Sequence, residues 1–262
     1  GMRRGLNAWL IAGYAFLYVP VILLVATSFN PSRLTTVLGG FSWRWYVALW
    51  ANDKLITAAI LSLRIAAVSA TGAAVLGTLA GLALARFGRF AGRSVFSGLI
   101  AARLVLPDVL IGLSLLLLFV QMEEWIGWPA GRGALTIMLA HVSVSLAYVA
   151  VVIEARLADT GTELEQAAMD LGASPSKAFW LVTLPLLAPA IVSGWLLAFT
   201  LSLDDLVVAS FVSGPGASTL PMVVFSALRL GVTPELNALA TVILVVVSVA
   251  LGGAWALQRR RG

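Results

Sequence analysis

Long apolar runs divided by short polar segments set the organisation of this chain. Charge-free stretches cover 5–32, 178–203 and 236–258, and 133–153 contains His141 as its one ionisable side chain. Two further runs are interrupted: 55–85 by Arg64, and 94–122 by Arg103 and Asp108. A helix needs about 20 apolar residues to cross the hydrocarbon layer. The pattern therefore predicts six spans, at about 6–29, 55–85, 95–120, 133–155, 187–212 and 237–258, in one transmembrane domain over 1–262. The second span is dense in small residues (Ala66, Ala67, Ser69, Ala70, Gly72, Ala73, Ala74, Gly77, Ala80, Gly81). Such residues let helices approach closely in lipid, which predicts that this span is internal to a bundle.

Between spans four and five, 158–185 is polar at its start and reads as two short helices. Thr162 and Glu165 have capping-box spacing. Leu164, Ala167, Ala168 and Leu171 follow on one face, and Gly172 stands where a helix stops. Ser174-Pro175 restarts a helix that Pro185 is expected to end. Such a pair lies on the membrane surface, on its own bundle, or on a partner protein.

Composition agrees with a polytopic membrane domain. The 262 residues are 60% hydrophobic and 11% charged, with a mean hydropathy of +0.99. The absence of cysteine excludes disulfides and thiolate metal sites. The net charge of +5 does not imply nucleic acid, because the cations lie between apolar runs and report topology. With the N-terminus inside, the inner segments hold ten cations (Arg3, Arg4, Arg86, Arg89, Arg93, Arg156, Lys177, Arg259, Arg260, Arg261). The outer segments hold five (Arg33, Arg44, Lys54, Arg132, Arg229). That excess predicts both termini in the cytoplasm.

No ATP site is legible. A phosphate-binding loop needs Gly-Lys-Ser/Thr, and the two lysines, Lys54 and Lys177, follow Asp53 and Ser176. A lone histidine cannot form a zinc-hydrolase motif, and no catalytic pair for an intramembrane enzyme is found.

The segment Gln166-Ala167-Ala168-Met169-Asp170-Leu171-Gly172-Ala173-Ser174, with Phe179 and Thr183-Leu184-Pro185, resembles the EAA loop of ABC importer permeases. Phe41-Ser42, Trp45-Tyr46, Asn52 and Leu55 resemble polyamine permeases ahead of their second span, and 106–114 resembles their third. The stretch 194–216 (WLLAFTLSLDDLVVASFVSGPG from Trp195), with 219–221 and 229–239, is similar to permeases of putrescine importers. The resemblance implies an all-α type I importer fold in a bacterial inner membrane. It implies a polyamine, putrescine first and spermidine next, as solute. It also implies a second, different permease, two ATPase subunits and a periplasmic polyamine-binding protein. ATP and Mg belong to the ATPase, and this chain binds no cofactor. Glu165, Gln166, Ala167, Ala168, Asp170 and Gly172 would form the ATPase-coupling surface. Gln166 replaces the family's glutamate, with Glu165 beside it.

An ionisable group in the bilayer is expensive and faces protein or water. Asp108 near the middle of span three, and Asp204 and Asp205 in the outer half of span five, are candidates for a cation path. Arg64 or Arg103 could instead neutralise an acid. For Asp108 both readings stand; for Asp204 and Asp205 the path is favoured. Trp45 and Tyr46 are candidate aromatic faces for an amine, whereas Trp43 and Trp50 suit interfacial anchoring. His141 suits a helix–helix hydrogen bond. The rival function is an ion-coupled secondary transporter of a small organic cation, against which stand the lack of an inverted repeat and the long structured loop.

Overall fold

The computed structural model describes residues 2–32, 39–231 and 234–259; for Arg3, Arg4 and Arg259 it describes the backbone alone. Arg33, Arg260 and Arg261 of the charge pattern, and Val232 and Thr233 of the motif, lie outside the described residues. In chain order the helices are α1 (Met2–Ser28), α2 (Arg44–Trp50), α3 (Asp53–Arg86), α4 (Arg93–Val105), α5 (Asp108–Ile126), α6 (Ala134–Thr160), α7 (Glu163–Asp170) and α8 (Pro175–Ala178). After a π-helical turn, Phe179–Thr183, come α9 (Leu184–Asp204), α10 (Val207–Val212), α11 (Leu220–Leu230) and α12 (Pro234–Arg259). No strand occurs among the described residues.

Among the described residues, five helical segments are long and apolar enough to cross a membrane: Trp9–Ser28, Asp53–Arg86, Asp108–Ile126, Ala134–Thr160 and Pro175–Asp204. The 26-residue α12, charge-free over 236–258, coincides with the sixth expected span, and its apolar stretch Pro234–Val249 is shorter than the other five.

The structure divides into two compact units. Unit 1 holds 1–57 and 223–262. Here α12 packs on α1 and α2, and Asn237 Nδ2 donates to Thr27 Oγ1 at 3.1 Å. Asn52 Nδ2 donates to Glu235 Oε1 at 2.7 Å, tying the loop before α3 to the start of α12. Trp9 and Phe16 lie exposed along α1, as side chains facing lipid would.

Unit 2 holds 58–222 and is built around α6, which packs on α4, α5, α9 and α10. Ile137, Val149 and Ile153 of α6 are fully buried. The small residues of α3 do what their spacing predicts. An added Cβ at Gly77 would lie 2.6 Å from Val149 Cβ, and one at Gly81 would lie 2.8 Å from the Ala150 carbonyl oxygen. The two backbones approach closely there, and side chains of α6 fill the space the glycines leave.

Three expectations about helix continuity need correction. The stretch expected as one span, 95–120, is two helices. Leu106 and Pro107 adopt extended backbone, with ψ of 134° and 140°. A proline disfavours the helical region for its predecessor, and here the break falls at the pair. Asp108 therefore sits in the first turn of α5, where a carboxylate suits the helix dipole, rather than in mid-span. The span expected over 187–212 stops at Asp204: Asp205 is extended, with ψ of 125°, and α10 is separate. Pro185, in turn, does not end a helix. Pro175–Asp204 is one continuous helical run, and Pro185 falls in the first turn of α9 just after the π turn. The wider turn changes the hydrogen-bond ladder where the proline has no N–H to give.

Candidate functional site

Arg103 and Asp108, on either side of the break at Leu106–Pro107, and Asp205–Leu206 at the second break line the same cavity of about 320 Å³. A break leaves backbone groups outside the helical ladder, which is tolerated at membrane depth beside protein or a water-filled cavity. Asp108, Asp204 and Asp205 all line it, together with Arg103, His141, Ser145, Tyr148 and Ser202.

The three acids have different partners. Asp108 Oδ1 accepts from Arg103 Nη2 at 3.2 Å, across the first break. Asp205 turns back into the protein. Its Oδ2 accepts from the Ala209 N–H at 2.7 Å and its Oδ1 from the Val208 N–H at 3.3 Å, so it closes the first turn of α10. The same Oδ2 lies 3.1 Å from His141 Nε2. His141 is 2% exposed, and its Nδ1 lies 2.6 Å from Ser202 Oγ. The histidine thus bridges α6 to α9 and to the second break, as the helix–helix reading expects. Asp204 is exposed and forms no ion pair among the described residues. Arg64, the alternative counter-ion, is exposed and forms no ion pair among them either.

The loop before α9 is laid out differently from its capping-box reading. Thr162 makes no side-chain cap; its Oγ1 accepts from Gln166 Nε2 at 3.1 Å. Glu165 is engaged elsewhere. It pairs with Arg86 at 3.0 Å, and the same guanidinium donates to the Gly161 carbonyl. Glu165 thus faces its own bundle, while Gln166, Ala167 and Asp170 are exposed and Ala168 is half-buried. Leu164 and Leu171 are exposed as well, Leu171 at 89%. Gly172 has φ of +91°, the left-handed conformation that stops α7. Ser174 caps α8 as expected, accepting from the Lys177 N–H at 3.4 Å.

In unit 1, Trp45 is buried and its Nε1 donates to the Asn30 carbonyl at 2.6 Å, with Arg44 stacked 5.3 Å from its ring centre. Tyr46 packs on Phe29 and Trp43, its hydroxyl 2.7 Å from Ser28 Oγ. Trp43 and Trp50 are largely exposed, as interfacial anchors are.

Residues 73–260 match the family "Binding-protein-dependent transport system inner membrane component". The chain belongs to this family of permeases. It is 59% identical over 251 residues to the putrescine transport system permease protein PotI of Escherichia coli (strain K12), covering 96% of this chain and 89% of that protein. It is 46% identical over 245 residues to the spermidine/putrescine transport system permease protein PotC of Haemophilus influenzae, covering 94% and 92%. A bacterial ABC transporter involved in importing the acidic polysaccharide alginate shares the fold, with a TM-score of 0.69 over 98% of this chain and 96% of that chain at 17% identity. Family membership makes this chain a permease component of a binding-protein-dependent transport system.

Several cavity residues of the permease escaped the sequence reading. Tyr148, Ser145 and Ser202 were not singled out. A signal existed: His141, Ser145 and Tyr148 fall at i, i+4 and i+7, one polar stripe on α6. His141→Ala would leave the Ser202 hydroxyl without its histidine partner and Asp205 Oδ2 with the Ala209 N–H alone. We expect it to cost about 1–3 kcal/mol, read as a lower thermal midpoint of the purified complex, with His141→Gln recovering part. An unchanged midpoint would show that the bridge contributes nothing.

Proposed function

We propose that this permease lines the membrane path for a polyamine, with putrescine the first candidate, in an ATP-driven importer of a bacterial inner membrane. The observation that carries the reading is Asp204, an exposed carboxylate at a cavity wall with no cation paired to it among the described residues. A diamine crossing the bundle loses hydration at two ammonium groups, and carboxylates and aromatic faces replace it. The volume of about 320 Å³ is at the low end for small-molecule sites, roughly 300–1,000 Å³, which suits a thin flexible cation. Asp108 and Asp205 extend the acidic wall, and Trp45 and Tyr46 are the aromatic candidates of unit 1. The 59%-identical relative is named for putrescine, which favours that amine over spermidine.

The partners in this reading are a second, different permease, two ATPase subunits that carry ATP and Mg, and a periplasmic polyamine-binding protein. Both termini face the cytoplasm, and α7 docks on an ATPase. Support for the docking comes from Leu164, Ala167 and Leu171, an exposed apolar stripe on a short helix that buries none of its residues. The experiment is reconstitution of the complete complex with its binding protein in proteoliposomes, followed by labelled putrescine uptake with and without ATP. Uptake driven by an ion gradient in the absence of ATP would overturn the reading. In the same assay Leu171→Glu is expected to lower ATP-dependent uptake at least tenfold at normal membrane level. Wild-type uptake by that variant would place the docking surface elsewhere.

A further inference from the structure

Arg103 is an odd component for a cation path, since a fixed guanidinium repels the solute. Its surroundings explain it. Its Nη2 lies 3.2 Å from Asp108 Oδ1, and its guanidinium carbon lies 5.7 Å from the centre of the Tyr148 ring. A carboxylate and an aromatic face around one positive charge are the groups that substitute for water around an ammonium. The guanidinium fits this place loosely. It makes a single contact with the carboxylate rather than the two-pronged pairing arginine favours. Its Nε is buried without a hydrogen-bond partner. Ser145 is 1% exposed, lines the same cavity, and its Oγ also has no partner. Buried polar atoms are normally paired, so two unmatched atoms in one wall mark a site shaped for something other than the group now in it.

We propose that Asp108 and the Tyr148 ring form an ammonium seat, which the Arg103 guanidinium occupies until a terminal ammonium of the transported amine displaces it. The seat rests on the reading of the cavity as an amine path. Ser145 Oγ, three residues before Tyr148 on the same face of α6, supplies an acceptor for an ammonium proton. Displacement has a mechanical consequence. The Arg103–Asp108 contact joins the end of α4 to the start of α5 across the extended pair Leu106–Pro107. An ammonium that takes the seat undoes this staple, so binding and release of the α4–α5 break are one event. Asp204 and the committed Asp205 are the other acids facing the cavity, and Asp204 is the carboxylate left for the second ammonium.

The test is equilibrium binding of radiolabelled putrescine to the complete complex in nanodiscs. Arg103→Gln is expected to tighten binding about tenfold, the factor for a seat otherwise taken roughly nine-tenths of the time. Asp108→Asn is expected to weaken binding, and adding Arg103→Gln to it should restore nothing. A second readout needs no variant. Saturating putrescine should raise modification of Arg103 by phenylglyoxal in the wild-type complex, mapped by mass spectrometry. Wild-type binding with unchanged Arg103 labelling, and no gain in Arg103→Gln, would overturn the seat alone. No putrescine binding by the wild-type complex would overturn the amine path and the seat together.

Discussion

Asp204→Asn is expected to cut ATP-dependent putrescine uptake by roughly 10- to 100-fold while leaving the chain in the membrane near its wild-type level. An interaction with a charged group is worth about 1.5–3 kcal/mol, and each 1.4 kcal/mol is tenfold. Asp204 is exposed at the cavity and holds no ion pair among the described residues, so its loss leaves no counter-ion stranded. The amide keeps the shape of the side chain. Asp205→Asn makes an instructive contrast. Asp205 accepts from the Val208 and Ala209 N–H groups and meets His141, so its replacement should lower thermal stability as well as uptake. Uptake by Asp204→Asn at the wild-type rate, with normal assembly, would remove Asp204 from the path.

The second large effect is expected from Gly81→Leu, which should prevent the permease from accumulating in the membrane. The first added carbon alone would lie 2.8 Å from both the Ala150 carbonyl oxygen and Ile153 Cβ, and 2.9 Å from Ile153 Cγ2. Overpacking a tight core costs about 1–3 kcal/mol where side chains can yield. A backbone oxygen on a central helix cannot yield without displacing α6, so the cost here lies at or above that range. Gly98→Ala is the control, because nothing lies within 4 Å of its added Cβ. Immunoblots of membrane fractions and co-purification of the partner subunits give the readout. Normal levels of Gly81→Leu would mean that α3 and α6 do not pack as described.

Much of the organisation was legible because it depends on local properties. Hydropathy over about 20 residues marks the spans. Small residues at Gly72, Gly77 and Gly81 announced an internal helix, and their packing against Val142, Val149 and Ile153 follows from the lack of a side chain. The loop motif 166–174 and the stretch 194–216 pointed to the family, which the match over 73–260 shows. Even the break at Pro107 was within reach, since the effect of a proline on its predecessor is local.

Direction around a helix, and the choice between distant partners, were decided by the tertiary structure. Glu165 stood beside Gln166 as a substitute carboxylate for the ATPase surface, yet it faces inward to Arg86, 79 positions away. Asp204 and Asp205 were equivalent on paper. The second break separates them, turning Asp205 back to cap α10 and meet His141, 64 positions away, and leaving Asp204 exposed at the cavity. Arg64 and Arg103 were equal candidates for Asp108 until the fold put Arg103 across the break and left Arg64 exposed. The sequence by itself thus determined where the apolar runs lie, the Gly172 stop and Ser174 cap of the loop, the family and the stock of charges, because hydropathy, capping and motif spacing act within a few turns of chain. Which charge is spent on structure and which is left at the cavity depends on which helix faces meet, and packing alone settles that.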